Sequence, residues 1–352
     1  MVESPTTPAS DLFMRRGSLI LAIILMVVVA GVRFSDGSML VAISRGASVR
    51  DPVFTKTSTQ YVWDSPLKIA LLRLLPPSVA FIAIVFAGLA ALPLFGLCTK
   101  DIGTFWIFWV AIFLTPAFRL SIQNIGVGDG LPIACLCVIA ATSRRWVVAA
   151  MFLVIALWHP QQSFFMGVSY MLAIYCYYRD FDYSKATGAL AGLAIGAVVF
   201  FAYKTSLGFS YSGRAQYMAE NVRLFITENI SYAPLAFAPI AIWFLFLSPR
   251  TVRGRYLLAT WVAVLGLVSL LTTDVTRAMT LISLPIVAAT ANLMFTRAGS
   301  RDWRKYAYAA IVIAIIPAYS WSGVDIFLWH DLVSDLRKWG FLGGGKLVPL
   351  GQ

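Results

Sequence analysis

Apolar stretches recur about eleven times along this chain of 352 residues, most of them long enough to cross a bilayer, and they leave it few alternatives. A helix needs roughly 20 such residues to cross the hydrocarbon layer, fewer where the layer thins. The stretches lie near 18–34, 76–97, 103–118, 128–143, 146–158, 161–178, 187–203, 231–248, 256–272, 278–296 and 306–320. A barrel would show short alternating strands instead, so the spans read as helices, whose backbone polar groups are satisfied within the segment. With 59% apolar residues, 12% charged residues and a mean hydropathy of +0.79, the composition also lies outside the range of soluble domains. The expectation is an all-α, polytopic transmembrane protein. It divides into a cytoplasmic tail at 1–17, a helical membrane domain at 18–320 with outer loops at 35–75 and 204–230, and an outer tail at 321–352. The segment at 146–158 is short for a span.

The linkers set the orientation, because cations in short loops are retained on the cytoplasmic side. Arg15 and Arg16, Lys100, Arg144 and Arg145, Arg179 and Lys185, Arg250, Arg253 and Arg255, then Arg297, Arg301, Arg304 and Lys305 fall in alternate linkers. That places the amino terminus inside and the carboxy terminus outside, in what the chain suggests is a bacterial inner membrane. The net charge of +12 is then mostly a topology signal and a contact with anionic lipids, with no nucleic-acid partner implied. The first span resembles a signal peptide, but Val32 to Ser35 holds no A-x-A-like cleavage site, so it reads as a retained anchor. Cys98, Cys135, Cys137 and Cys176 fall within spans or near their ends and read as packing residues.

Under this topology the ionisable groups that could carry chemistry converge on the outer face. Asp36 follows the first span in an Asp-Gly pair, and as a carboxylate just beyond the membrane it suits a general base. Asp51 is a second carboxylate in the same loop, as another base or a divalent-metal ligand. Asp64 reads as a helix cap: Asp64 or Ser65 starts a helix with Pro66 in its first turn, and Lys68 and Arg73 fall on the polar side of a leucine-rich interfacial helix. Asp129 stands in a Gly-Asp-Gly turn, and His159 sits at a recessed turn between two apolar arms, where imidazole can donate to phosphate or shuttle a proton. Asp274 and Arg277 lie about one helical turn apart in apolar sequence. Arg277 suits a lipid phosphate at a helix start with Asp274 holding it, and Arg214 and Arg119 offer further phosphate contacts.

The uncleaved first span, the long outer first loop with Asp36 close behind it, the interfacial helix, the uneven spans and the outer arginines together resemble the GT-C class of membrane glycosyltransferases. The resemblance implies a catalytic outer-loop acid, best matched by Asp36 and next by Asp51. It also implies arginines on the phosphate of a polyprenyl-linked sugar donor, and a glycan or lipid acceptor. The chain lacks the adjacent acidic pair and the soluble carboxy-terminal domain of many members. No cofactor follows from the residues, and a divalent metal is left open. An O-antigen or capsule polymerase, which resembles the chain in hydropathy and outer arginines, would need no first-loop base. A lipid or glycan transporter ranks third, since it places charges near the midplane and often shows paired halves.

Overall fold

The computed structural model describes residues 17, 18, 20–22, 24, 37–54, 61–76, 79, 80, 83, 130–142, 144–177, 182–208, 214–224, 226, 227, 251–271, 278, 279, 281–286, 319–322 and 325–328. Among them the chain is helical apart from one small hairpin. The helices are α1 (Gly37–Ser44), α2 (Pro66–Leu74), α3 (Gly130–Ala141), α4 (Arg145–Trp158), α5 (Pro160–Tyr177), α6 (Tyr183–Leu207), α7 (Arg214–Leu224) and α8 (Val252–Ser269). Short 3-10 turns at Pro52–Phe54 and Tyr61–Asp64 link α1 to α2. Strands β1 (Tyr319–Ser322) and β2 (Asp325–Leu328) pair antiparallel with Tyr319 opposite Leu328. The sequence reading carried a helical span through residue 320, and β1 takes over its last two positions.

Local chemistry sets the helix limits. Asp182 caps α6 by accepting the Lys185 N–H at 3.0 Å, and Gly208 closes it in the left-handed region at φ 56°, where a side chain would be strained. Thr251 caps α8 through the Gly254 N–H at 3.0 Å. Between α4 and α5 the ring of Pro160 has no N–H to give and restricts His159, so the chain breaks and restarts within one residue.

Among the described residues, two helices are long and apolar enough to cross a membrane by length and composition: α6 with 25 residues and α8 with 18. At 1.5 Å per residue they measure about 37 and 27 Å. α6 divides cleanly into two faces. Gly188, Gly192 and Gly196, spaced by four, press on α4, where a Cβ at Gly188 would stand 2.6 Å from the Arg145 carbonyl oxygen. One at Gly192 would strike the Ala149 carbonyl, and one at Gly196 the Ala156 side chain. Small residues at this spacing let two backbones approach closely, as membrane helices do where lipid removes any hydrophobic drive to associate. The other face of α6 exposes Leu190, Ile195, Val198 and Phe201, the last two at 70% and 67%. Such a face suits an apolar solvent better than water.

The contacts of α6 with α4 run in the same order along both helices, so the two are parallel and the intervening α5 returns antiparallel. α8 packs on α5 through Trp261, whose indole N–H donates to Ser169 Oγ at 2.8 Å, and through Cys176 Sγ, 3.6 Å from the Gly254 carbonyl oxygen. Arg144 and Arg145, Lys185, Arg253 and Arg255 therefore stand near one end of these helices. The described cysteines, Cys135, Cys137 and Cys176, are buried as expected of packing residues, while Cys98 lies outside the described residues.

Candidate functional site

At the opposite end residues 37–54 and 61–76 fold over the ends of α3, α4, α5 and α6. Its apolar residues Leu40, Ile43, Val49, Phe54, Val62, Trp63, Ile69 and Leu72 form one cluster with Trp158 of α4, and Leu131 of α3 and Leu207 of α6 pack against it. Phe54 meets Trp63 edge to face at 5.5 Å. Fully burying a residue of this size is worth roughly 1.5–3 kcal/mol, so the cluster is enough to hold a loop with little regular structure.

Polar contacts then place the loop in register. Ser65 does two things at once: its Oγ accepts the Lys68 N–H at 3.3 Å, which starts α2, and donates to the Leu157 carbonyl at 3.3 Å, which serves an orphan acceptor in the last turn of α4. Ser65, rather than Asp64, is thus the cap, with Pro66 in the first turn as the sequence indicated. Asp64 is buried and faces the other way. Its Oδ1 pairs with Lys204 Nζ of α6 at 2.9 Å, and its Oδ2 accepts the side-chain amide of Gln161 at the start of α5. Tyr203 adds a hydrogen bond from its hydroxyl to the Trp63 carbonyl at 3.0 Å. Lys68 departs from the sequence reading too. It lies buried at 4% exposure, not on a polar surface, with its ammonium 5.2 Å from the centre of the Trp158 ring.

The turn after α1 carries the loop's remaining charges. Asp51 Oδ2 accepts the Ser48 N–H at 2.7 Å while its own N–H donates to the Ser48 carbonyl at 3.0 Å, so one oxygen of this carboxylate is engaged in shaping the turn. Arg50 donates to the Gly208 carbonyl at 3.4 Å, at the end of α6, and Arg73 donates to the Ala47 carbonyl at 2.6 Å with its guanidinium 5.7 Å from the Trp63 ring centre. His159, half-buried at the end of α4, donates its backbone N–H to Ile155 and accepts from Ser163 through its carbonyl at 2.9 Å. Among the described residues, two buried atoms next to this network, Trp63 Nε1 and Gln162 Oε1, have no hydrogen-bond partner. Leaving such a group unsatisfied costs roughly 1–3 kcal/mol.

Of the residues singled out from sequence, the structure gathers Asp51, Asp64 and His159 at this one end. Arg214 opens α7, whose Asn221 donates to the Leu271 carbonyl at 3.4 Å and so ties α7 to the end of α8. Arg223 of α7 donates to Glu220 at 2.9 Å, and that hydrogen bond holds the glutamate carboxyl below its ordinary range. Asp36, Arg119, Asp129, Asp274 and Arg277 lie outside the described residues. Among the described residues no three of His, Cys, Asp and Glu gather to hold a metal ion. A groove between α5 and α8, lined by Leu172, Tyr256, Leu257, Trp261 and Val264, carries none of the site residues.

No known protein family, curated protein or solved structure matches this chain.

The residue that sequence reasoning passed over is Lys204. Its signal was a cation at the end of a 25-residue apolar helix, which needs a counter-charge wherever it turns inward. The partner, Asp64, had been assigned to a cap that the neighbouring serine provides.

Proposed function

We propose that the chain is a polytopic membrane glycosyltransferase of GT-C-like architecture, with about eleven spans. It moves a sugar from a polyprenyl-phosphate donor to a glycan or lipid acceptor on the extracytoplasmic face. The observation that supports this reading best is the docking of residues 37–54 and 61–76 over the ends of α3, α4, α5 and α6, with carboxylates and cations collected beside the apolar layer. Sugar transfer from a lipid phosphate asks for this arrangement. The donor brings its own leaving group, so the protein has to orient an acceptor hydroxyl, take its proton and stabilise charge on the phosphate. In this reading Asp36 takes the proton, with Asp51 second. Arg277, Arg214, Arg119 and His159 meet the donor phosphate, and Asp274 and Asp129 support them.

The test is sugar transfer in reconstituted membranes, followed by mass spectrometry of lipid-linked glycans in a strain lacking the protein and in the same strain with it restored. Restoration by the wild-type chain, together with a far larger loss in Arg277→Ala than in Arg301→Ala at equal expression, is the expected result. Identical lipid-linked glycans with and without the protein would remove the enzyme reading.

A further inference from the structure

The groove between α5 and α8 has no part in the proposed reaction, and its charge lies all at one end. Arg253, Leu257, Thr260 and Val264 follow one another along α8 at spacings of four, three and four, so they form a single stripe, with Trp261 beside it and Leu172 on the α5 side. The space they enclose is about 630 Å³, the size of an ordinary ligand site, and such sites are mostly apolar with a few placed polar groups. Its wall is fixed, because the Trp261 indole donates to Ser169 Oγ at 2.8 Å while its ring stacks on Phe165 with centres 6.4 Å apart. No acid lines the groove, and its one charged group is Arg253 in the first turn of α8. Arg253 is exposed, and among the described residues neither an ion pair nor a hydrogen bond holds its guanidinium.

Depth along α8 identifies the occupant. The helix has 18 residues, and its length of about 27 Å nearly equals a hydrocarbon layer of roughly 30 Å, so its first turn stands at the edge of that layer when it crosses. Helical side chains lean toward the amino terminus, which carries the Arg253 head outward to the headgroups. From Arg253 the stripe runs eleven positions to Val264, about 16 Å, and one leaflet's acyl layer is roughly 15 Å deep. We propose that this groove holds one anionic phospholipid, with an acyl chain laid along α8 and the headgroup phosphate on Arg253. The guanidinium fork suits phosphate through paired N–H donors. A second copy of the chain is a poorer occupant, because two copies inserted in the same direction and facing each other across this stripe would set one Arg253 against the other at the same depth. The inference rests on α8 crossing the membrane and is independent of any sugar transfer.

The experiment is native mass spectrometry of the full chain extracted in detergent, titrated separately with phosphatidylglycerol and with phosphatidylcholine of the same acyl chains. Wild type is expected to retain one phosphatidylglycerol in preference to phosphatidylcholine. R253Q should lower phosphatidylglycerol retention about fivefold, the worth of one arginine at a charged lipid surface, and leave phosphatidylcholine unchanged. R255Q removes the same charge two positions on, off the stripe, and should stay close to wild type. V264W fills the groove and should lose both lipids, whereas L267W, at an exposed position outside the groove, should lose neither. Equal retention by wild type and R253Q overturns the proposal. So does an equal loss in R255Q, which would make the effect one of general surface charge, or an equal loss in V264W and L267W, which would make the lipid part of the surrounding annulus. A dimer that V264W disperses would mean that a second copy covers the groove, and overturns it too. If V264W melts early, R253Q, altered at an exposed side chain, decides by itself against R255Q. Recovery of the protein in the soluble fraction without detergent would sink the membrane reading and this proposal with it. No sugar donor is present in the titration, so its outcome and that of the transfer assay are separate.

Discussion

Asp64 and Lys204, 140 positions apart, meet as an ion pair at 2.9 Å with the carboxylate 7% and the ammonium 21% exposed. The pair fastens the loop after the first apolar stretch to the end of α6, and Gln161 fastens the same carboxylate to the start of α5. Removing one partner of a buried pair leaves the other charge stranded, which costs roughly 3–5 kcal/mol when burial is complete. Asp64→Asn should therefore lower stability by roughly 3 kcal/mol, at the lower end because Lys204 keeps some solvent. Asp64→Asn with Lys204→Met should recover part of that loss. Thermal unfolding in detergent reads both, and a double variant no better than the single would mean the pair contributes little.

The glycine face of α6 makes a graded prediction. At Gly192 a Cβ meets the backbone of Ala149 and Leu153, which cannot move aside, whereas at Gly167 it meets only the tip of the Leu193 side chain. Gly192→Ala should cost roughly 1–3 kcal/mol, the usual penalty for overpacking, and Gly167→Ala clearly less. Gly266, with nothing within 4 Å of the added carbon, should tolerate alanine without loss. Melting temperatures of the three variants in one detergent would order them, and equal values would mean that α4 and α6 are not in contact at Gly192.

Glu220 supplies the pH prediction. Its hydrogen bond from Arg223 lowers its folded pKa below the ordinary 4.5, so its contribution is present above pH 4.5 and is lost as pH falls through the lower value. The pair lies on the surface, and salt screens it. Glu220→Gln should leave the melting temperature at pH 7 close to wild type and soften only the decline below pH 4.5. A large loss at pH 7 would show that the pair holds α7 in place.

Much of this arrangement was legible in the sequence because apolar length is a local signal. The stretches at 128–143, 146–158, 161–178, 187–203 and 256–272 correspond to α3, α4, α5, α6 and α8, with ends shifted by caps such as Asp182 and Gly208. Ser65 and Pro66 likewise announced α2, since a cap and a first-turn proline act within three residues. The contacts that build the site were not legible. That Asp64 meets Lys204, or that Lys68 lies under Trp158, depends on how the loop folds back over helix tips far along the chain. The glycine spacing at 188, 192 and 196 was visible and went unread, since four-residue spacing is a pattern on one helix face and not a repeat of the chain.

Topology makes a prediction that does not depend on the enzyme reading. The cations of the short linkers predict that the loop holding Lys56 faces outward and that the turn holding Arg253 faces the cytoplasm. The three described native cysteines are buried, so they add little background. Lys56→Cys should react with a membrane-impermeant maleimide in intact cells, and Arg253→Cys only after permeabilisation. The reverse pattern would invert the chain and put the Asp64 end of the helices inside.

The assignment of the base separates two carboxylates of one loop. Asp51 is already at work: one of its oxygens holds the Ser48 N–H at 2.7 Å, and asparagine in its place still offers a carbonyl oxygen to that N–H. Asp51→Asn should therefore keep the turn, keep Arg50 near Gly208 and keep sugar transfer within a few fold. Asp36, the residue just before α1, carries the expectation of basicity, and removing a general base lowers the rate by roughly 10² to 10⁴. Asp36→Asn should fall that far while its expression and melting temperature stay near wild type, because amide replaces carboxylate with little change in shape. A deep loss in Asp51→Asn with Asp36→Asn intact moves the base along the loop and makes the free oxygen of Asp51 the acceptor. If both variants and their combination transfer sugar at close to the normal rate, no acid of this pair takes the proton, and an arginine-based polymerase is the better account.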